Sequence, residues 1–417
     1  MNFNCRSLIW VLLSCFAQAQ AQDLVSFTSN GKLLASDAEM RYQRVFKDVE
    51  PPEITPTDVH LYKVTYRSRA VDGRLIPLSG LVAMPRNGAP KGLVVYYHGT
   101  TADRENVPSR YTGAAKPEEA DLAILAFANA GYAVAAPDYL GLGDHKGYHP
   151  YPLGEVNCWS GIDLIKPARK IFDKAKVSVG KDLFVTGYSE GGGIAMWAAR
   201  KLQESKDPLY KLTRSAPLSG PYDLSGVQAL AMLSRQSNSV WLGARVYFSS
   251  YTARGIQKNY PGIDLGKYFS PSFATYIPYV FGKELKDEGL IKKLVGKAFQ
   301  MGAFMDLNRI MTLSFRDAVK AHDLRDPLLR KLADNDCYDW TPTIPMVLFC
   351  LEDDFLVVKE NTLNAIAAMR ARGVSQDVVR HYMITGRKFD HMKGILPGLM
   401  LARKFFDSGM TAVPIND

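Results

Sequence analysis

The order of apolar and polar residues divides most of the chain into two alternating kinds of segment. Short, unbroken apolar runs typical of buried strands occur in KGLVVYYHGT, AVAAPDYLGLG, LFVTGY and TPTIPMVLFCLEDDF. Between them, apolar residues recur at helical spacing in EEADLAILAFANAGY, which Gly131 closes, and in NCWSGIDLIKPARKIFDKA, which Pro167 is expected to distort. Buried strands that alternate with helices predict an α/β fold with a mostly parallel, doubly wound sheet.

Two regions depart from this alternation. HLYKVTYRSRAVDGRLIPLSGLVAMPR predicts two or three antiparallel strands joined at the turn VDGR. Residues 225–338 are helical in pattern and rich in aromatic residues and Met, and we expect them to form an inserted lid or cap. The α/β core then consists of residues 22–224 and 339–417. A late insertion of this kind lies over the carboxyl ends of the strands, where ligands bind, although most of its aromatic residues should form its own core.

The first 21 residues, MNFNCRSLIWVLLSCFAQAQA, predict a secretory signal peptide. Arg6 precedes a short apolar run from Leu8 to Phe16, and cleavage is expected after Ala19 or Ala21. The run is too short to span a membrane. Its end, LLSC, leaves a lipoprotein anchored at Cys15 as a minor alternative to a secreted or periplasmic protein.

Composition narrows the class further. With 47% apolar and 22% charged residues among 417, the chain is neither disordered nor a polytopic membrane protein. The net charge of +9 comes from basic residues scattered among 42 acidic ones, so no nucleic-acid partner is expected, although peripheral contact with lipid surfaces is. Beyond the leader, Cys350 is expected to be a buried thiol. Cys158 and Cys337 could pair in an oxidising compartment.

The segment KDLFVTGYSEGGGIAMWAARKL, residues 181–202, places Ser189 between glycines. LFVTGY predicts a strand, SEGGG a tight turn and IAMWAARKL a helix. In this order the spacing Gly187-x-Ser189-x-Gly191 is that of a nucleophile elbow, whose turn is too sharp for larger neighbours. The alternative is an ordinary glycine-rich connection. The other parts of a serine hydrolase decide between the two.

A serine nucleophile needs a histidine base, which in hydrolases with this elbow follows the last strand. Two histidines lie late in the chain. His381 alternates with apolar residues in VVRHYMI and is expected within a strand. His391 lies in GRKFDHMKGILPG, a loop before the final helix, and is therefore the predicted base.

The carboxylate that orients the base is expected in the turn FCLEDDFLVV, which offers Glu352, Asp353 and Asp354. Asp353 takes the place of the acid in the common turn G-x-x-D-x-x-V-P, although Cys, Leu and Val replace the Gly, Val and Pro of that pattern. Asp353 is the first choice and Asp354 remains an alternative.

An oxyanion needs two backbone N–H donors. Glu190, which follows the nucleophile, is expected to supply one. The loop after VVYYHGT is expected to supply the other, with Thr100 as the first candidate and Thr101 as the second. His98 is expected to brace this loop.

Two further motifs suggest cofactor chemistry at first sight. Asp144, His145 and His149 in DHKGYHP could bind a metal, but no further Cys or His cluster accompanies them. GLGDHKG lacks the spacing of a phosphate-binding loop. Neither a metal nor another cofactor is expected, and these residues are assigned to a pocket rim or the surface.

The motifs YYHGTT, APDYLGLGDH, GYSEGGG, SGPYDL, FCLEDDF and DHMKG together resemble secreted bacterial α/β-hydrolases related to the secretory lipase family, which includes fungal lipase A. The resemblance extends from about Val64 to Phe406, although no motif matches in the insertion. It implies an α/β-hydrolase fold with a helical lid and a triad of Ser189, Asp353 and His391. It also implies hydrolysis of carboxylic esters without a cofactor.

The expected function is that of a secreted serine esterase or lipase acting on small-molecule or lipid esters. The apolar insertion favours hydrophobic acyl groups. A peptidase or thioesterase could use the same groups, but no charged residue for binding a chain terminus is identified. A non-catalytic binding protein would usually lack a member of the triad.

Overall fold

A nine-stranded sheet forms the centre of the computed structural model, which describes residues 23–45, 55–86, 88–234, 239–303, 306–386 and 389–413. Across this part of the chain the strand order is β1-β2-β3-β5-β4-β6-β7-β8-β9. The strands are β1 (Leu24–Leu33), β2 (Val59–Arg69), β3 (Leu75–Pro85), β4 (Leu93–Tyr97), β5 (Ala133–Pro137), β6 (Leu183–Tyr188), β7 (Arg214–Leu218), β8 (Met346–Leu351) and β9 (Val379–Ile384). The predicted signal peptide, residues 1–21, lies outside the described residues.

The sheet is parallel from β5 to β9 and antiparallel at its other edge. All five pairings between neighbours from β5 through β4, β6, β7 and β8 to β9 are parallel. β2 and β3 pair antiparallel around the predicted VDGR turn, and β1 adds to their outer side. The predicted mostly parallel sheet is thus confirmed. The sequence gives little sign of β1, because this edge strand is largely exposed and has no apolar run.

Helices cover both faces of the sheet. One face carries α3, α4, α5 and α12, and the other carries α1, α2 and α13, each packed on its own apolar cluster. The ranges of these helices are α1 (Ala35–Val45), α2 (Glu118–Ala123), α3 (Gly154–Ile162), α4 (Ile165–Lys174), α5 (Glu190–Glu204), α12 (Glu360–Ala371) and α13 (Ile395–Ser408). The sheet is therefore doubly wound, as predicted.

The segment expected to be one distorted helix is two helices, α3 and α4, separated at Asp163 and Leu164. Pro167 explains the break. Proline lacks an N–H, and its ring would clash with the carbonyl four residues earlier, which belongs to Asp163. Pro167 is instead accommodated in the first turn of α4, where an intrahelical donor is not required.

Between β7 and β8 the chain forms six α-helices within the described residues, and we call residues 225–338 the insertion. The helices are α6 (Ala229–Leu233), α7 (Ser239–Asn259), α8 (Pro271–Phe281), α9 (Asp287–Gln300), α10 (Leu313–Lys320) and α11 (Pro327–Ala333). Most of their buried apolar side chains form a third cluster that is separate from the two on the sheet.

Cys158, Cys337 and Cys350 are buried free thiols. The pairing considered for Cys158 and Cys337 is absent, and each sulfur instead lies near a backbone carbonyl, of Glu155 and Gly193 respectively. Burial raises the pKa of Cys350 to about 12, which keeps this thiol protonated and unreactive. Across the described segments, no helix is both long and apolar enough to cross a membrane.

Candidate active site

Ser189 lies between the end of β6 and the start of α5. Its backbone has φ 60° and ψ −122°, a region that L-residues rarely adopt, and its N–H donates to the carbonyl of Leu218 at 3.0 Å. This strained strand-to-helix turn presents the half-buried Ser189 hydroxyl at the carboxyl edge of the sheet. The predicted strand, turn and helix are all present.

The glycines around Ser189 are required by close backbone contacts. A Cβ at Gly187 would lie 2.4 Å from the carbonyl oxygen of Gly191, and a Cβ at Gly191 would lie 2.0 Å from that of Tyr97. Both distances are far below van der Waals contact, so larger residues would displace the turn. The same packing presses the elbow against the end of β4.

A chain of two hydrogen bonds links Ser189 to a buried carboxylate. The Ser189 Oγ and His391 Nε2 are 2.8 Å apart, and His391 Nδ1 is 2.7 Å from Asp354 Oδ2. Because a carboxylate only accepts, Nδ1 carries the proton of the neutral ring, which leaves Nε2 to accept from the serine hydroxyl. This is the arrangement in which a histidine acts as base towards serine.

The structure places Asp354, rather than the first choice Asp353, beside His391. Asp354 is buried, and its Oδ1 accepts from the N–H groups of Leu356 and Val357 at 2.9 and 3.0 Å. Adjacent side chains in a turn point in different directions, so the half-buried Asp353 does not take this place. The third carboxylate, Glu352, accepts from the N–H of Gly386.

Hydrogen bonds to the backbone of His391 and within the turn around it hold this residue in place. The Tyr188 hydroxyl, next to the nucleophile, donates to the His391 carbonyl at 2.7 Å. The carboxylate and carbonyl of Asp390 accept the N–H groups of Lys393 and Gly394 and so form the turn into α13. His381, by contrast, lies within β9, as its alternating pattern predicted.

The loop of residues 98–102, which we call the oxyanion loop, follows β4 and lies against the elbow. Tyr97 of β4 is in register with Gly187 of β6, so the two strands end side by side. The N–H of Gly99 donates to Oε1 of the half-buried Glu119 at 2.7 Å. The side chain of Thr100 lies close to the Tyr151 hydroxyl. Thr100 is thus carried on a tightly held loop beside Ser189.

His98 braces this loop through a hydrogen bond and a ring contact. Its Nδ1 donates to the Gly99 carbonyl at 2.7 Å, and its ring stacks on Tyr139 with centroids 4.0 Å apart. Burial lowers the pKa of His98, which favours the neutral ring.

Glu190, the residue after the nucleophile, forms a buried pair with His149. Glu190 Oε1 and His149 Nε2 are 2.8 Å apart, and His149 Nδ1 donates to the Leu140 carbonyl at 2.9 Å. Because Nδ1 faces an acceptor, the close approach at Nε2 requires a proton shared with Glu190. The pair therefore has no net charge, and it fixes the first residue of α5, whose N–H is the expected oxyanion donor.

The other residues of the possible metal motif have structural partners. Asp144 forms ion pairs with Lys63 and Arg110, and His145 Nδ1 accepts from the N–H of Gly141. Throughout the described residues, no group of three or more His, Cys, Asp or Glu side chains is arranged to hold a metal ion.

A pocket opens beside Ser189 and Glu190, between the core and the insertion. About 820 Å³ of space outside protein atoms lies here, the solvent at the mouth of the pocket included. Its lining is mainly apolar. The insertion contributes, among others, Met232, Phe248, Phe269, Met311, Phe315 and Leu328. The apolar lining beside Ser189 suits a hydrophobic chain attached to a carbonyl at that serine.

The sequence did not predict the roles of two side chains near the site, Glu119 and Asp287, and the predicted location of a third, His149, was wrong. Glu119 binds the oxyanion loop, and Asp287 of the insertion does so as well. No local motif indicates either one, because both act over long sequence distances. His149 was assigned to a rim or the surface, yet it is buried; the neighbouring sequence DHKGYHP gives no sign of its partner, Glu190.

Comparison with known proteins agrees with this architecture. The profile of the secretory lipase family matches residues 109–226. A protein of Legionella pneumophila assigned as a hydrolase has a similar structure, with 25% identity and a TM-score of 0.77 over 94% of this chain and 100% of that chain. A search of curated protein sequences finds no match.

Two more distant structures share the fold. The rice cell wall degrading esterase LipA from Xanthomonas oryzae is 21% identical, with a TM-score of 0.73 over 93% of this chain and 98% of that chain. Candida antarctica lipase A is 13% identical, with a TM-score of 0.65 over 97% of this chain and 85% of that chain. Together these similarities show an α/β-hydrolase fold, and residues 109–226 resemble the secretory lipase family.

Proposed function

We propose that this protein is a secreted serine esterase or lipase that hydrolyses carboxylic esters with hydrophobic acyl groups. The observation that carries the proposal is the chain of hydrogen bonds from Ser189 through His391 to Asp354. The family match and the similarity to an esterase and a lipase support ester hydrolysis.

In this mechanism the Ser189 Oγ attacks the ester carbonyl carbon while His391 Nε2 takes its proton. Asp354 stabilises the resulting imidazolium through Nδ1. The C–O bond to the alcohol breaks as His391 returns the proton to the leaving oxygen, which leaves an acyl group on Ser189. Water then attacks this acyl-enzyme, with His391 as base, and releases the acid.

The negative oxygen formed in each step needs preorganised donors. The N–H of Glu190 is suited to this role because it is the first of helix α5, where backbone N–H groups lack intrahelical partners. Thr100 is our second donor, on the loop that packs against the elbow. Positive charge at a helix N-terminus adds to the stabilisation.

The apolar pocket supports a hydrophobic acyl group as the preferred substrate part. Phe269, Met311 and Phe315 line it together with Ser189. Each CH₂ transferred from water into such a site contributes about 0.8 kcal/mol. Longer acyl chains should therefore be favoured until the pocket is filled.

The test is hydrolysis of p-nitrophenyl esters from acetate to palmitate by the mature protein and by Ser189→Ala. We expect activity that rises with acyl length and falls by about 10⁴-fold or more in the variant. Peptide and thioester substrates are assayed in parallel. Activity confined to those substrates, or retained in Ser189→Ala, would contradict the proposal.

Secretion is supported by the family match and by the leader sequence. Amino-terminal sequencing of protein recovered outside the cytoplasm should begin at Gln20 or Gln22. An unprocessed terminus, or a lipid on Cys15, would contradict cleavage at these sites.

A further inference from the structure

The insertion contacts the oxyanion loop through one carboxylate. Asp287 is the first residue of α9, and its Oδ1 accepts from the N–H of Ala102 at 2.7 Å. Its other oxygen accepts from the Thr101 hydroxyl. Asp287 thus binds two consecutive residues that directly follow Thr100.

The carboxylate is itself fixed from within the insertion. The buried Tyr247 hydroxyl of α7 donates to Asp287 Oδ1 at 2.7 Å. A carboxylate in the first turn of a helix also interacts favourably with the helix dipole. Its rotation is restricted by three donors from two directions, so its position is determined by α7 and α9 together.

A second contact from α7 secures the same part of the loop. Tyr251 donates its hydroxyl to the carbonyl of Thr101 at 3.0 Å, and its ring stacks on Tyr151 with centroids 4.8 Å apart. Tyr151 in turn lies close to the Thr100 side chain. The donor expected at Thr100 therefore lies between Gly99, held by core residue Glu119, and Thr101, held by the insertion.

We propose that Asp287 is a positioning residue for catalysis: it aligns the oxyanion loop so that the insertion completes the active site. The inference rests on the proposed ester hydrolysis, in which the oxyanion forms when the serine attacks the ester carbonyl. A donor displaced by even a fraction of an ångström stabilises the negative oxygen less, while the acyl pocket remains intact. Loss of Asp287 should therefore lower kcat with little change in KM.

The experiment compares Asp287→Asn and Asp287→Ala with the wild type and Ser189→Ala, using p-nitrophenyl butyrate. Asn retains one acceptor oxygen and Ala retains none, so kcat should fall about tenfold and about a hundredfold, with KM within about threefold. An alkyl trifluoromethyl ketone, which adds reversibly to the serine as a tetrahedral oxyanion, should bind more weakly by the same factors.

Asp264→Asn is the matched control. Asp264 also accepts a backbone N–H in the insertion, from Gly266 at 2.9 Å, but it is exposed. Its kcat should stay within about twofold of wild type. Thr101→Val removes the hydrogen bond between the Thr101 hydroxyl and Asp287 from the side of the loop. This variant serves in place of Asp287→Ala if the latter does not fold, and its kcat should fall about threefold to tenfold.

The positioning role is wrong if folded Asp287→Ala has the kcat and the ketone affinity of the wild type. If Asp287→Ala does not fold, the same result in Thr101→Val would overturn it. A change in KM alone would also overturn it. If the wild type shows no Ser189-dependent hydrolysis, the proposed function fails, and the positioning role fails with it. Loss of kcat in the Asp287 variants of an enzyme with normal Ser189 dependence supports both.

Discussion

The α/β core and the insertion reach the same site in different ways. The core places Ser189, Asp354 and His391 in turns after β6, β8 and β9, which are parallel strands of one sheet. Their carboxyl ends share an edge, so the sheet topology alone brings these residues together. The insertion lies against the carboxyl edge of the sheet, where it contributes pocket walls and the carboxylate of Asp287.

We expect from this difference that the core carries out the reaction and that the insertion selects among substrates. The core carries the groups that would exchange protons and form bonds, and their positions follow from strand order. Most buried apolar side chains of the insertion pack in a cluster that is separate from the two on the sheet, so we expect that many of them can change without disturbing the sheet. Substitutions in the core should therefore affect every substrate, whereas substitutions in the pocket wall should affect substrates unequally.

The largest effect is expected for Asp354→Asn. An amide beside His391 Nδ1 favours the wrong tautomer, so kcat should fall by about 10³- to 10⁴-fold for every ester. Asp353→Asn changes the neighbouring carboxylate and should alter kcat by about twofold at most. Steady-state kinetics on acetate, butyrate and palmitate esters measures both. Equal losses in the two variants would contradict the assignment of Asp354.

An intermediate effect is expected for Ala229→Phe in the pocket wall. Ala229 is the first residue of α6 and lines the pocket, so a phenyl ring there should occupy part of the acyl space. We expect kcat/KM to fall about a hundredfold for palmitate and about twofold for acetate, on the basis of the free energy of burying several CH₂ groups.

Its matched control is Leu230→Phe, at the next position of α6, where the residue is 46% exposed. This variant should hydrolyse both esters as the wild type does. A uniform loss across chain lengths in Ala229→Phe would indicate disturbance of the core rather than of the acyl pocket.

The smallest effect is expected on the pH dependence of the free energy of unfolding. Here we compare Asp163 of the core with Asp336 at the end of the insertion. Burial raises the pKa of each to about 6, whereas the unfolded chain has the ordinary value near 3.8. The folded state therefore binds the proton more tightly. This contribution to stability is complete below about pH 4 and is lost as the pH rises through 6.

Asp163→Asn and Asp336→Asn each remove this proton linkage. Relative to wild type, the free energy of unfolding of each variant should increase by about 2 kcal/mol from pH 4 to pH 7. Urea unfolding at several pH values measures it. Separate transitions, each sensitive to one variant, would show that core and insertion unfold independently; a relative stability unchanged with pH would contradict the raised pKa values.

Much of the core could be predicted because its signals are local. Uninterrupted apolar runs predicted β4, β5, β6 and β8, and the glycines around Ser189 identified the elbow. The edge strand β1 escaped because an exposed strand needs no apolar pattern. The sequence could not decide between Asp353 and Asp354 either, because residue type and spacing fit both and only the direction of the side chain differs.

The sequence by itself determined which residue types are available for the chemistry and which strands carry them, because strand burial and sharp turns impose constraints over a few neighbouring positions. Only the tertiary structure decided which carboxylate reaches His391, that Glu190 pairs with His149, and that Asp287 binds the oxyanion loop 185 residues away at Ala102. These contacts depend on side-chain direction and on how separate elements pack, and neither is encoded in a local pattern.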